Sequence, residues 1–384
     1  MANVRGLFGS QSYEAGIKKL DVRDMIFELQ PDAAPFVSVM KEISKAKAVD
    51  TTINWFEDDL LANYTQTSAA VASTTLTTIP LDATGHLQEG DIVKDLSTSE
   101  VMRVVSVNDT ALTIEVVRGW GATSAQNLAQ DDYIYKLGSA MVEGWSSPES
   151  LVTAKTKVYN YLQIFSKTVM ITETADNIDV YGGNRRDFER RKKGVELKRD
   201  MESQFLFGEP KEDTTGAQKR WQTGGVWYFL KAGGAPELDM NSAALTESAW
   251  EGFLKDAFQY GSSTKLFFAG PLILSQISGF ASSKQRIDSG VTIKYGVKVT
   301  SYHSAVGDVD LIRDDHFVGP FAGTGILLDI EEIVYRYLQN MDIQLKLNLQ
   351  AKKDHYIIDE YYGQIGLEIH NAKKHGLIFE VGTA

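Results

Sequence analysis

The densest group of side chains able to bind a metal or move a proton is His303, Asp308, Asp310, Asp314, Asp315 and His316. Carboxylates and imidazoles suit divalent ions, and such a loop would be the site of a metal-dependent enzyme or hydrolase of unrecognised class. The spacing favours a plainer reading. Asp308 and Asp310 flank a turn into a strand, and Asp314-Asp315 reads as a strand-end turn, so a solvated loop is expected. His370 and His375 are five apart, which is not the i,i+4 spacing of a helical metal pair. No nucleophile elbow, phosphate-binding loop, dinucleotide fingerprint or zinc-protease motif occurs. The chain has no cysteine, which removes thiolate nucleophiles, disulfides and Cys-based metal sites. No catalytic residue, cofactor or metal is expected.

The second chemical feature is a run of cations: Arg185, Arg186, Arg190, Arg191, Lys192, Lys193, Lys198 and Arg199, eight in all. Asp187, Glu189 and Glu196 lie among them, so the local balance is 8 − 3 = +5 in a chain of net charge −12. One reading is contact with a polyanion or with an acidic neighbouring subunit. The other is a solvated helix face laced by i,i+4 pairs such as Glu189–Lys193, each contributing about 0.2–0.5 kcal/mol. Both stay open at this stage. Trp221, Trp227, Tyr228 and Phe229 form a third cluster, read as a packing corner in preference to a ligand shelf.

The cations must sit on a helix. An apolar, β-branched stretch (VYNYLQIFS, then TVMIT) runs to a break at Gly182-Gly183. Asn184 is a candidate N-cap, and Asp187 stands in the favourable first turn. A helix over 184–207 would be about 36 Å long. Gly194, Leu197, Met201 and Phe205 make one stripe, and Phe188, Val195, Glu202 and Leu206 a second, before Gly208 stops it.

The 384 residues exceed one ordinary core, so at least two modules are expected. The net charge of −12 argues against sequence-independent gripping of nucleic acid. No apolar run approaches the ~20 residues of a membrane-spanning helix, and MANVRGLFGSQ has no signal-peptide core. Residues 1–45 read as an arm: LDVRDMIFELQ and PFVSVMKEI are short apolar pieces that need a surface on this subunit or a neighbour. Residues 46–145 read as mostly β. A Thr-rich stretch (YTQTSAAVASTTLTTI) reads as an exposed strand, and EGDIVKD, SEVMRVVSV and ALTIEVVRG as short strands of a barrel-like insert. There Val101, Arg103 and Val105 share one face, and Met102 and Val104 the other. Residues 226–335 alternate helix and strand. LTESAWEGFLKDAFQYG has Thr246 as cap and Trp250, Phe253, Leu254 and Ala257 on its apolar face.

The stretches YNYLQIFSKTVMITETAD, VELKRDMESQFLFGE and GLEIHNAKKHGLIFEV, with the strands EGDIVKDLSTSEVMRVVSV before them, resemble the tailed-bacteriophage major capsid (major head) protein family. The resemblance covers most of the chain from about Gly90 onward. It implies an α+β tailed-phage capsid fold. Residues 1–45 would be the N-terminal arm, and 46–145 an extended β loop carrying a small β-barrel-like insert at about 82–138. Residues 146–225 would be a peripheral domain with a long spine helix over about 184–207. Residues 226–335 would be an axial domain, and 336–384 terminal strands of the peripheral domain.

The implied function is self-assembly into the icosahedral head that encloses a double-stranded DNA genome. The implied assembly is a homo-oligomer of hexamers and pentamers in the virion, synthesised in the host bacterial cytoplasm. DNA is enclosed without sequence-specific binding, no membrane is involved, and scaffolding or decoration proteins would be separate chains. The eight cations become intersubunit or DNA-facing candidates. Some shells of this kind are cross-linked through a lysine and an asparagine. No residue here matches that pattern, so no cross-link is expected, nor any fused scaffolding segment. The competing readings are a phage-surface or tail-associated binding module, and the unrecognised enzyme above.

Overall fold

The computed structural model describes residues 34–144, 150–178, 185–282, 292–294 and 297–383. Most of the arm, the Gly182-Gly183 break and the Asn184 cap lie outside the described residues. The chain forms two compact units, Met1–Trp55 with Val158–Ala384, and Phe56–Lys157.

The unit Phe56–Lys157 is built on six strands: Tyr64–Gln66, Thr78–Pro80, Asp91–Asp95, Val101–Asn108, Thr113–Val117 and Tyr133–Ser139. Their spatial order is first, sixth, third, fourth, fifth, second. The two outer strands meet. Thr67 bridges Leu81, and the Asp82 amide donates to the Gln66 carbonyl at 2.9 Å. The sheet therefore closes on itself, which removes its free edges. Alternation sends Val93, Met102, Val104, Ile114, Val116 and Ile134 to a common buried interior. A bulge between Val104 and Ser106 then shifts the phase, so Val107 turns towards that interior. The Thr-rich stretch departs from expectation. Only its two ends are strands, and Ile79 is fully buried. The barrel thus recruits Tyr64–Gln66 and Thr78–Pro80 as well as the strands expected at 82–138.

Glu100 and Arg118 pin this barrel internally. Arg118 Nε and Nη2 donate to the two Glu100 oxygens at 2.8 and 2.7 Å, and the Gly119 and Gln126 amides add 3.0 and 2.9 Å bonds. Burial opposes ionisation of Glu100, but these donors together hold its carboxyl below the ordinary value.

The other unit contains two principal sheets. In the first, Lys45–Ala48, Ile333–Leu338, Tyr356–Ile369 and Gln163–Thr172 lie in that order, and Gln344–Lys346 also pairs with Tyr356–Ile369. In the second, seven strands follow the order Glu237–Asp239, Gly376–Phe379, Gly325–Leu328, Thr264–Ala269, Asp308–Arg313, Val297–His303, Thr292–Lys294. Thr264–Ala269 and Asp308–Arg313 are parallel, and the helix Pro271–Ser282 falls between them in sequence. The helix Glu247–Ala257 is capped by Thr246, whose hydroxyl accepts from the Ala249 amide. It packs Trp250, Phe253 and Leu254 against Phe267, Leu311 and Leu327.

Two chain reversals differ from a simple reading of the pattern. GILLDIEEIVYRYL is not one run. A single turn at Ile330–Glu332, capped by Asp329, sends Gly325–Leu328 to the seven-stranded sheet and Ile333–Leu338 to the five-stranded one. The sequence pattern groups the last strand, Gly376–Phe379, with the strands from 336 onward. It lies in the seven-stranded sheet instead, beyond a left-handed Asn371 and the turn Ala372–Lys374. Gly376 permits this course, since a Cβ there would stand 2.6 Å from the Phe253 ring.

The apolar piece PFVSVMKEI forms the helix Pro35–Glu42, and Phe36, Val37, Val39 and Met40 are buried in the core of this unit. That stretch therefore finds its surface on its own subunit.

Candidate functional site

The long helix Arg185–Phe207 is the element on which the charged candidates stand. Its buried residues are Leu197, Met201, Glu202, Phe205 and Leu206, close to the two stripes read from sequence. It lies against Gln163–Thr172 and Tyr356–Ile369. Phe205 meets Phe165 edge-on at 5.8 Å. Gly208 follows the last helical residue, and a Cβ there would come within 2.4 Å of the Gln204 carbonyl oxygen, so only glycine fits this end.

The eight cations do not form one face. Arg186 and Arg190 turn onto the sheet. Arg186 donates through Nε and Nη2 to both Asp359 oxygens at 2.7 Å each, and Arg190 Nε reaches Asp359 Oδ2 at 2.9 Å. Asp359 is buried and also accepts from the Asn348 amide at 3.0 Å. The Arg186 hydrogen bond leads the forces that hold the Asp359 carboxyl well below the usual carboxylate range, against its burial. Arg186 and Arg190 are therefore internal fasteners. Arg185 pairs with Glu189 at 2.9 Å and Lys193 with Glu196 at 2.6 Å, in place of the expected Glu189–Lys193 pair. Arg191, Lys192, Lys198 and Arg199 are exposed and make no ion pair among the described residues.

At the other end of the helix, Glu202 is fully buried and faces the start of Pro35–Glu42. Its two oxygens accept from the Phe36 and Val37 amides, each at 2.6 Å. These amides lie in the first turn, where helix N–H groups have no partner of their own. Asp314 and His316 complete the group, and the ligand-capable atoms of the three residues lie within 4.8 Å of one another. Burial, and next the Asp314 charge, push the Glu202 carboxyl well above its ordinary range, although the two amides act in the opposite sense.

The six residues of the sequence-stretch 303–316 are thus scattered. His303 and Asp308 pair at an exposed strand end, Nδ1 to Oδ1 at 2.7 Å. Asp310 accepts from the Ser301 hydroxyl at 2.6 Å, and Asp315 pairs with Arg313 at 2.8 Å. Asp314 and His316 are the two that join a third ligand-capable residue, Glu202, which is more than a hundred positions away in the chain. His370 and His375 are not a metal pair. His375 is buried, accepts at Nδ1 from the Asp329 amide at 3.0 Å, and directs Nε2 at the His370 carbonyl at 3.2 Å. Burial pushes its imidazole down to about 4. Trp227 lies beside Phe207 and Phe379, and Phe229 beside Trp55, which makes that aromatic group a packing corner.

The barrel carries a feature that the sequence reading passed over. On Tyr133–Ser139 the residues Tyr133, Tyr135 and Leu137 point outward, and Tyr64 on the paired strand packs against Tyr133 with ring centres 5.8 Å apart. The alternation in DDYIYKLG was the available signal: with Ile134 buried, its neighbours must face out. An exposed stripe of large apolar side chains is characteristic of an interaction surface.

The family described as SU10 major capsid protein matches residues 9–382 of this chain. A major capsid protein of Pseudomonas phage PaMx41 is 26% identical over 196 residues, which is 50% of this chain and 46% of that protein. The chain thus aligns with about half the length of that curated relative. A solved chain from Mycobacterium phage Bobi superposes with a TM-score of 0.53 at 6% identity, covering 97% of this chain and 99% of that one. At that identity the likeness concerns the fold alone.

Proposed function

We propose a shell-building role from one premise: the chain belongs to the SU10 major capsid protein family. Many copies self-assemble, as hexamers and pentamers, into the icosahedral head that encloses the double-stranded DNA of a tailed phage. The protein then resides in the virion after synthesis in the host cytoplasm. The observation that carries this reading is the family match along nearly the whole chain, residues 9–382. The architecture supports it. A shell places one chain in repeated heterologous contacts, so each pairwise contact can be modest. The barrel offers an outward Tyr64/Tyr133/Tyr135/Leu137 stripe for such a contact. In this reading the unit Phe56–Lys157 is the extended loop, beginning later than residue 46 because Lys45–Ala48 pairs into the five-stranded sheet; Arg185–Phe207 is the spine helix, and the seven-stranded sheet is the main part of the axial domain. No catalytic role is part of it.

Of the eight cations, Arg191, Lys192, Lys198 and Arg199 are the contact residues of this proposal. Their partner is the acidic surface of a neighbouring copy, because every copy carries a net charge of −12. DNA contact is the other outcome of the test.

Negative-stain microscopy of the expressed full chain tests the function. Closed shells, tubes or capsomers are expected. A monodisperse monomer at high concentration, with no assembly in salt or crowding agents, would overturn the reading. Salt dependence of particle stability with and without packaged DNA separates the two partners. A sensitivity to salt that is unchanged in empty particles assigns the cations to protein.

A further inference from the structure

Asp314, buried at the end of the strand Asp308–Arg313, has an oxygen, Oδ2, with no hydrogen-bond donor among the described residues. Oδ1 is well served, by the His316 amide at 2.9 Å and the His316 Nδ1 at 3.0 Å. An unpaired carboxylate oxygen out of water is costly, and an uncompensated buried charge more so. Here a second buried carboxylate, Glu202, is its neighbour. Both Glu202 oxygens accept from backbone amides, those of Phe36 and Val37, at 2.6 Å each, so Glu202 offers Asp314 no counter-charge. A protonated His316 would serve only Oδ1 of Asp314. Two acids therefore converge in an apolar surrounding that includes Phe36 and Phe268, and one of their oxygens still lacks a positive partner.

We propose that Glu202, Asp314 and His316 bind one divalent transition-metal ion, which fastens the helix Pro35–Glu42 and the seven-stranded sheet to the long helix. Two carboxylates and an imidazole are a mixed oxygen and nitrogen set, suited to Zn2+ or Mn2+ better than to Ca2+, which prefers six to eight oxygens. The surrounding backbone is fixed on both sides of Asp314. The Asp314 amide donates to the Ala269 carbonyl at 3.1 Å, and the Phe317 amide to the Asp314 carbonyl at 3.3 Å. A Cβ on Gly270 would stand 2.2 Å from the Phe317 carbonyl oxygen, so only glycine lets these segments approach. His316 is the partly exposed member and gives an ion its way in. The ion would tie together three segments that are far apart in sequence, at the point where the arm joins the body.

The test uses the full-length protein, stripped with chelator, dialysed, and titrated with Mn2+ followed by the loss of its free-ion spin-resonance signal. Zn2+ is then added as competitor. One Mn2+ per chain, displaced by Zn2+, is expected, with an unfolding temperature that climbs as free Zn2+ rises. Asp314→Asn removes a charge and keeps the shape, and should abolish this binding. His316→Gln, at the partly exposed position, should weaken it at least tenfold and serves if the Asp314 variant fails to fold. Binding well below one ion per chain at about 1 mM free metal overturns the proposal. So does full binding by either variant. Metal-independent stability that increases as pH falls would put a shared proton between the two acids in place of the ion.

Discussion

The two ends of the long helix treat a buried acid in opposite ways. At the N-terminal end, Asp359 meets two guanidinium groups and a backbone amide, and its charge is fully answered. At the C-terminal end, Glu202 meets two amides and a second acid. The first arrangement is a closed joint between helix and sheet that needs nothing more. The second sets two acids side by side with no guanidinium or ammonium partner among the described residues, the pair that the proposed ion would bridge. Residues of the same sequence class therefore do different work along one helix. Arg191, Lys192, Lys198 and Arg199, exposed beyond the joint, are the intersubunit contacts proposed above.

The strongest way to break this comparison is to loosen the helix as a whole. Phe205→Ala, in the shared core, should cost about 3–5 kcal/mol in urea unfolding. A loss under about 1 kcal/mol would mean that the helix is not anchored by its C-terminal half.

Acid titration sharpens it next. His375 has its folded value lowered by burial from 6.5 to about 4, so the folded protein binds fewer protons than the unfolded chain across that window. Stability should fall by about 3 kcal/mol as pH drops from 6.5 to 4. His375→Gln should flatten that slope. Asp359 behaves otherwise. Its folded value is depressed, so its contribution is present above the unfolded carboxylate value and is lost only as pH falls through the much lower folded value. Loss between pH 6.5 and 4 that persists in the His375 variant would point away from the histidine.

Asp359→Ala should cost about 2–3 kcal/mol. That is less than a fully buried pair, because Arg186 and Arg190 keep side-chain exposures of 18 and 19% and can turn to water. Boiled particles should run as intact monomers on denaturing gels, and a ladder of multimers would reveal a covalent cross-link.

Much of the helix was legible in the sequence. The Leu197/Met201/Phe205 stripe and the Gly208 stop mark its buried face and its end. The partners of its charges were not legible. Asp359 is 173 positions from Arg186, and the amides that Glu202 accepts from are 166 and 165 positions away. Local periodicity says which way a residue faces and is silent about what waits there. The same holds for the barrel. Its interior alternates visibly, whereas its closure rests on a bridge between Thr67 and Leu81, at the two ends of a stretch whose Thr and Ser content suggests one exposed strand. Asp314-Asp315 looks like a solvated turn by composition. One of the two points outward as expected, and the other is buried.

The most direct measurement is sedimentation velocity on the variant Arg191→Gln, Lys192→Gln, Lys198→Gln, Arg199→Gln, beside the unaltered chain. These side chains are exposed, and surface changes of this kind are each usually within about 0.5 kcal/mol in stability. The account predicts a folded subunit with a nearly unchanged unfolding temperature and at least a tenfold lower yield of assembled particles. Assembly at the normal yield would contradict it.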